Sequence, residues 1–238
     1  MGNKAVKHHL ESAEKTGVLQ LANCNLKEIP AQALQSRSRL RSLDLSNNKI
    51  AHLPGFVGEF HLLKQLNLDR NRLQLLPDEI GNLVKLEQLS AGTNLLTTMP
   101  STVANLQKLR QVTLCSNCFS IFPTVLCELA SLDVLDLSAN QIDRIPDEVA
   151  NLNAIELILN QNQLNTISEQ LAKCKRLKVL RLEENCLPLG SFWDPILRDS
   201  SISLLAVDGN LFTMREFCLL PNYQNYMERF TATKKKIY

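Results

Sequence analysis

Apolar residues along this chain fall into a frame that repeats every 23 positions: Leu40, Leu43, Leu45, Ile50 and Leu53 are followed by Leu63, Leu66, Leu68, Leu73 and Leu76. An asparagine holds one place in that frame, at Asn48, Asn71, Asn94, Asn117 and Asn140, and the phase continues with small slips to Asn162, Asn185 and Asn210. It also runs back through Leu19, Leu21, Cys24, Leu26 and Ile29, which makes about nine turns, the outer ones imperfect. The leucine-x-leucine step predicts a short strand with alternating side chains, so Leu43 and Leu45 enter a core while Ser42, Asp44 and Ser46 face outward. One such turn cannot bury its own leucines, but stacked turns share a continuous core and a parallel sheet. Where the strand ends, the asparagine amide bonds the backbone of a neighbouring turn; a buried polar group left unpaired there costs about 1–3 kcal/mol.

A second column stands six residues after the asparagine position: Pro30, Pro54, Pro77, Pro100, Pro123 and Pro146, each behind an apolar residue. Proline lacks an N–H and has a fixed φ, which suits an irregular outer side where no ladder needs a donor. Ser168 and Ser191 take this place in the later turns, and an insertion around Trp193, Asp194 and Pro195 lengthens the interval from Asn185 to Asn210. The period and frame resemble those of leucine-rich repeats. The expected fold is therefore an α/β solenoid, a horseshoe with a concave parallel sheet, an irregular convex side and a helical cap at each end. Val6, Leu10 and Ala13 fall at helical spacing before Gly17, and Tyr223, Tyr226, Met227 and Phe230 do so after Pro221. Residues 1–17 read as an N-terminal segment and cap, 18–212 as the repeats, and 213–238 as a C-terminal cap with a basic tail.

Composition adds little to this but removes several classes of function. The 238 residues are 45% hydrophobic and only 5% aromatic, as a leucine-built solenoid should be, and 26 basic against 24 acidic residues give a net charge of +2. That balance, with no basic groove interleaved with aromatics, argues against a nucleic-acid partner. The opening Met1-Gly2-Asn3-Lys4 lacks the apolar core of a secretory leader, and no apolar run approaches a membrane span. No asparagine begins an Asn-x-Ser/Thr sequon, and the seven cysteines are scattered rather than clustered at the ends. A cytoplasmic, reducing setting and a monomeric, non-secreted chain are expected.

The repeat with Leu53-Pro54 and Leu76-Pro77 at its tail resembles the Ras-suppressor or Scribble-like class of intracellular leucine-rich-repeat proteins. The start Met1-Gly2-Asn3, the segment from Arg181 to Leu187 and the ending from Tyr226 to Lys236 extend the likeness over the whole chain. The resemblance implies a small intracellular repeat protein held at a membrane by a lipid and without established chemistry. Gly2 is the residue that would carry the lipid: a myristoylation site reads Met-Gly-x-x-x-Ser/Thr, and this chain departs from it only at Val6. One myristoyl chain binds membranes with an association constant of only about 10⁴ per molar, so Lys4 and Lys7 would have to supply the second signal.

The concave face is where a protein partner is expected. Six positions before each asparagine stand Ser42, Gln65, Gln88, Gln111, Val134, Glu156, Val179 and Leu204; four before stand Asp44, Asn67, Ser90, Thr113, Asp136, Ile158, Arg181 and Ala206. From the fifth turn on, apolar residues enter a face that should be wet. The candidate partner-binding set is Val134, Asp136, Glu156, Ile158, Val179, Arg181, Glu183 and Leu204, an apolar centre with a charged rim. Two alternatives of other kinds are a regulatory subunit of a signalling enzyme and a thiol-redox enzyme using Cys115 and Cys118. The second is thin, because Asn117 between them belongs to the asparagine column and the strand-to-helix setting of a redox pair is missing. No cofactor, metal-ligand or catalytic set is recognisable in the sequence: His8, His9, His52 and His61 form no ligand set with the cysteines.

Overall fold

Each leucine-x-leucine step becomes a three-residue strand in the computed structural model, which describes residues 3–192 and 194–234. The chain divides into two units. The first comprises Met1–Cys118 with Leu129–Leu132, and the second Phe119–Glu128 with Asp133–Tyr238.

In the first unit, helix α1 (Asn3–Thr16) precedes strands β1 (Val18–Gln20), β2 (Ser42–Asp44), β3 (Gln65–Asn67), β4 (Gln88–Ser90) and β5 (Gln111–Thr113). All five pair in parallel with the middle residues aligned: Leu19 with Leu43, Leu43 with Leu66, Leu66 with Leu89 and Leu89 with Val112. Those middle residues are fully buried. Gly17 ends α1 in the left-handed region, φ +72°, and its N–H donates to Ala13 O at 2.9 Å.

The return segments are more regular than the sequence led one to expect. The 3₁₀ helices Ala31–Ser36, Gly55–Glu59, Asp78–Asn82 and Ser101–Asn105 each start directly after a column proline. The proline carbonyl accepts the first helical bond, from Ala33, Val57, Ile80 and Val103 at 2.9–3.1 Å, so proline acts as a starter whose missing N–H is never asked for. Adjacent 3₁₀ helices stack closely. A Cβ on Gly81 would stand 2.5 Å from Thr102 O, and one on Gly58 2.6 Å from Glu79 O, so that repeat position holds small residues: Gly58, Gly81, Ala104, Cys127, Ala150 and Ala172.

In the second unit, β6 (Val134–Asp136), β8 (Glu156–Ile158), β10 (Val179–Arg181) and β11 (Leu204–Ala206) form the parallel set, aligned through Leu135, Leu157, Leu180 and Leu205. On the return side β7 (Arg144–Ile145) pairs in parallel with β9 (Thr166–Ile167). Helices α2 (Asp194–Asp199), α3 (Met214–Phe217) and α4 (Tyr223–Lys234) follow, with α3 started by a capping box between Thr213 and Glu216. Phe192, Phe212, Phe217, Tyr223 and Tyr226 follow one another ring to ring at 5.0–5.9 Å, with Phe212 stacked on Phe217 and the other pairs edge to face or tilted, which buries the inner side of these helices.

The asparagine amides lie at the bends. In the first unit Asn94 accepts from Leu73 N at 3.0 Å and donates to Leu68 O at 3.0 Å, Ala91 O at 3.1 Å and Gly92 O at 3.2 Å. Asn48, Asn71 and Asn117 make the same pattern one or two turns away. In the second unit Asn140 accepts from Phe119 N, Asn162 from Ile142 N, Asn185 from Leu164 N and Asn210 from Leu187 N, all at 3.0–3.1 Å.

The residue before each of these asparagines is left-handed: Asn47, Arg70, Thr93, Ser116, Ala139, Gln161, Glu184 and Gly209 have φ between 52° and 76°. That inversion turns the amide inward while the residue's own N–H continues the ladder, as in Thr93 N to Cys115 O at 2.8 Å. Thr93 is the β-branched member and its side chain is exposed, so Thr93→Gly should stabilise the protein by about 0.5–1 kcal/mol, less than the full left-handed penalty because glycine loses more chain entropy. A urea midpoint that falls, or stays put, would contradict this.

Two expectations need correction. Ser46 is buried, because it lies past the strand where the chain curls inward: its N–H donates to Asp44 Oδ1 at 2.9 Å and its carbonyl accepts from the Asn48 amide. Ser191 does not take the proline place. With a helix inserted after it, that turn starts three residues early at Pro188, and Ser191 is the buried end of the 3₁₀ helix Leu189–Ser191. Trp193 lies outside the described residues.

Candidate functional site

The candidate partner face is built by β6, β8, β10 and β11, whose first and third residues point away from the core because the middle one is buried. All eight candidate residues are half-buried. Register decides which of them meet. Val179 stands level with Leu204, giving an adjacent apolar pair, whereas Val134 stands level with Glu156 and is separated from that pair by it. In the second row Ile158 lies between Asp136 and Arg181. Arg181 Nε reaches diagonally to Glu156 Oε1 at 2.8 Å; at this exposure the pair is worth at most about 1 kcal/mol, and its effect is to fix the centre of the face. The Asp136 carboxylate accepts from Ser138 N at 2.9 Å and Ser138 Oγ at 2.6 Å, which closes the end of β6.

Beside these rows lies a depression of about 420 Å³ lined by Ser138, Ile158, Asn160, Gln161, Glu183, Glu184, Asp208 and Gly209. Only Ile158 and Glu183 were among the sequence candidates. The others stand one and two positions before the asparagines, past the last strand residue, in the columns of which Glu183 is also a member, and their acidic and amide character was the signal available. Asn160 Nδ2 donates to Glu183 Oε2 at 2.7 Å while Glu183 N donates back to Asn160 Oδ1 at 2.9 Å, and Gln161 Nε2 donates to Glu184 Oε2 at 2.9 Å.

The sheet face of the first unit differs. A depression of about 330 Å³ is lined by the glutamines Gln20, Gln65, Gln88 and Gln111 with Ser42, Asp44, Asn67, Ser90 and Thr113. Nearby, Asp69 accepts from Ser90 Oγ at 2.8 Å and Gly92 N at 2.6 Å. It is an amide and hydroxyl surface.

Residues 2–138 match the family described as "Leucine-rich repeat region", and residues 131–152 match "Leucine Rich Repeat". The chain belongs to the leucine-rich repeat family. A stretch of 43 residues is 49% identical to the plant intracellular Ras-group-related LRR protein 7 of rice, covering 18% of this chain and 16% of that protein. An LRR protein of Leptospira interrogans shares the fold with a TM-score of 0.74 and 28% identity over 92% of this chain and 61% of its own. The LRR ectodomain of the Arabidopsis thaliana receptor kinase GASSHO1/SCHENGEN3, solved in complex with CASPARIAN STRIP INTEGRITY FACTOR 2, gives a TM-score of 0.63 and 26% identity over 77% of this chain and 23% of its own. This chain thus spans less than two thirds of each of these proteins.

Within these leucine-rich repeats the thiols sit in contrasting places. Burial pushes Cys127 up to about 12 and Cys174 up to about 11, far from the depressed values of reactive thiols, and Cys174 Sγ donates to Val149 O at 3.1 Å. Cys186 and Cys218 are exposed, and Cys115 and Cys118 are half-buried beside Asn117, whose amide is taken up by Leu96 N and Ala91 O. In the native protein a disulfide reagent at pH 8 should therefore modify Cys186 and Cys218 and leave Cys127 and Cys174 untouched until denaturant is added. Modification of Cys127 without unfolding would contradict the burial described. Among the described residues no group of His, Cys, Asp and Glu could hold a metal ion, and no helix is long and apolar enough to cross a membrane. Gly2, Lys235 and Lys236 lie outside the described residues.

Proposed function

We propose that this protein is a non-enzymatic interaction module of the cell interior. Its second unit offers the sheet face around Ile158 and Val179 to a protein partner, and a myristoyl group on Gly2 brings it to a membrane. The observation that carries the partner reading is the adjacent apolar pair Val179 and Leu204, with Ile158 held between Asp136 and Arg181, on strands that face solvent. An apolar centre edged by fixed charges is the anatomy of a recognition surface. Solved relatives lend support: the Arabidopsis ectodomain holds CASPARIAN STRIP INTEGRITY FACTOR 2. The inside-the-cell reading rests on the rice relative, on scattered cysteines and on missing sequons. The opening and closing segments are also similar to those of leucine-rich repeat-containing protein 57, which is the support for lipidation at Gly2 despite Val6.

Two measurements test the two halves. Proximity labelling in cells with the natural chain and with Ile158→Gln/Val179→Gln should lose specific neighbours in the double variant; an unchanged set would remove the face from consideration. Intact mass after eukaryotic expression should show loss of Met1 and gain of one myristoyl group, and an acetylated or unmodified terminus would end the anchor.

A further inference from the structure

We infer that the partner of the second unit's sheet face docks through an extended cationic segment, in which lysines or arginines alternate with apolar residues. The inference rests on the partner face proposed above and names its chemistry.

Charge is unevenly placed. The chain as a whole carries +2, yet the outward columns of β6, β8, β10 and β11 and their bends hold five carboxylates, Asp136, Glu156, Glu183, Glu184 and Asp208, against the single cation Arg181. The matching positions of the first unit hold Asp44, Asp69 and Arg70, which nearly cancel. Compensation is also selective. Glu156 takes Arg181, but Glu183 and Glu184 are held by the neutral amides of Asn160 and Gln161. Those amides fix the carboxylates in place without cancelling their charge, so a cation arriving from outside meets oriented acceptors with little reordering to offset.

Shape and spacing select among cations. The acidic columns border a depression of about 420 Å³ with Ile158 in its wall, a size within the ordinary range for ligand sites. The face crosses four strands spaced about 4.8 Å apart, a path of roughly 14 Å that an extended segment of about four to five residues covers at 3.3 Å per residue. In such a segment alternate side chains share a side. Lysines or arginines can reach Glu183, Glu184 and Asp208 while apolar neighbours settle on Val179 and Leu204. Nucleic acids and acidic peptides would be repelled.

The test is selection of a random dodecapeptide phage library on the full-length protein, followed by affinity measurements with the enriched peptides made synthetically. The expected result is enrichment of lysine or arginine alternating with apolar residues. Binding should weaken as salt rises and fall by about threefold to thirtyfold at physiological salt for Glu183→Gln/Asp208→Asn, the sum of two partly screened charge pairs. Enriched peptides that are acidic or uncharged, or an affinity unmoved by that double variant, overturn the inference. If such peptides still lose affinity with Ile158→Gln/Val179→Gln, the partner face stands and only its charge preference is wrong. If they ignore both double variants, or if nothing is enriched, the face itself is rejected along with the inference. Circular dichroism of each variant, unchanged from the parent, excludes misfolding as the cause.

Discussion

Asn94→Leu lowers stability by about 3 kcal/mol, whereas Asn82→Leu changes it by no more than about 0.5 kcal/mol. Leucine shares the branched heavy-atom skeleton of asparagine, the same replacement is made at both sites and both residues lie in the first unit, so the difference reports mainly on hydrogen bonding. Asn82 is exposed on a 3₁₀ helix. Asn94 is buried and its amide serves four backbone groups: Leu73 N, Leu68 O, Ala91 O and Gly92 O. Leucine orphans the Leu73 N–H, and it removes a second donor from three carbonyls that each keep one: Leu68 O from Asn71 Nδ2 at 3.0 Å, Ala91 O from Asn117 Nδ2 at 2.9 Å and Gly92 O from Arg70 N at 2.9 Å. The orphaned donor costs about 1–3 kcal/mol, and the three lost second bonds add about 1 kcal/mol together because each carbonyl stays paired. Urea unfolding followed by circular dichroism measures it. The exchange of the Leu73 amide should accelerate most, since it donates directly to the missing oxygen. Equal losses for the two variants would show that the amide column does not hold the turns together.

Arg229→Ala removes about 3 kcal/mol from the second unit, and Arg229→Lys does not restore it. The guanidinium donates to Leu197 O at 2.6 Å, Ile202 O at 3.0 Å, Arg198 O at 3.1 Å and Ile196 O at 3.4 Å. Three of these belong to the last residues of α2, where carbonyls lack intrahelical donors and the helix end is electronegative; of the three, Ile196 O also accepts from Ser200 Oγ at 2.6 Å. Burial lowers the Arg229 pKa from its usual value, but guanidinium remains charged at any pH of interest. A lysine ammonium is a point donor that cannot span four carbonyls. One turn earlier on α4, the Tyr226 hydroxyl accepts from Leu205 N at 3.1 Å, covering a donor of β11. Tyr226→Phe should cost about 1–2 kcal/mol, the penalty of one buried N–H. Hydrogen exchange should rise in α2 and β11 for both variants and stay unchanged in β1 to β4, because repeat units couple mainly to neighbours. Full rescue by lysine would show that charge alone, and not the fork of donors, pins the cap.

Much of this architecture was legible in the chain because its determinants recur at a fixed interval. Leucine spacing marked the strands, and the two helical patterns marked α1 and α4. What escaped reading had no consistent residue type. The left-handed position before each asparagine is filled by Asn47, Arg70, Thr93, Ser116, Ala139, Gln161 and Glu184, a set with no shared propensity, since stacking imposes the conformation from outside. The 3₁₀ helices are too short to carry a periodic signal, and the small-residue column from Gly58 to Ala172 mixes glycine, alanine and cysteine. For the candidate site, strand alternation gave Val134, Ile158, Val179 and Leu204 their outward sense. It stopped at the strand ends, so Ser138, Asn160, Gln161 and Asp208 were not counted, although the bend brings them beside Ile158. Ser46 was misplaced for the same reason: alternation was carried past the last strand residue.

The most direct test of the account is site-specific photocrosslinking in cells, with benzoylphenylalanine introduced in turn at Ile158, at Asn67 on the sheet face of the first unit, and at Glu148 on the return side of the second. Ile158 should yield a discrete adduct with a partner, and Glu148 should yield none. Adducts from Glu148 or Asn67 with none from Ile158 would contradict the assignment of recognition to the sheet face of the second unit.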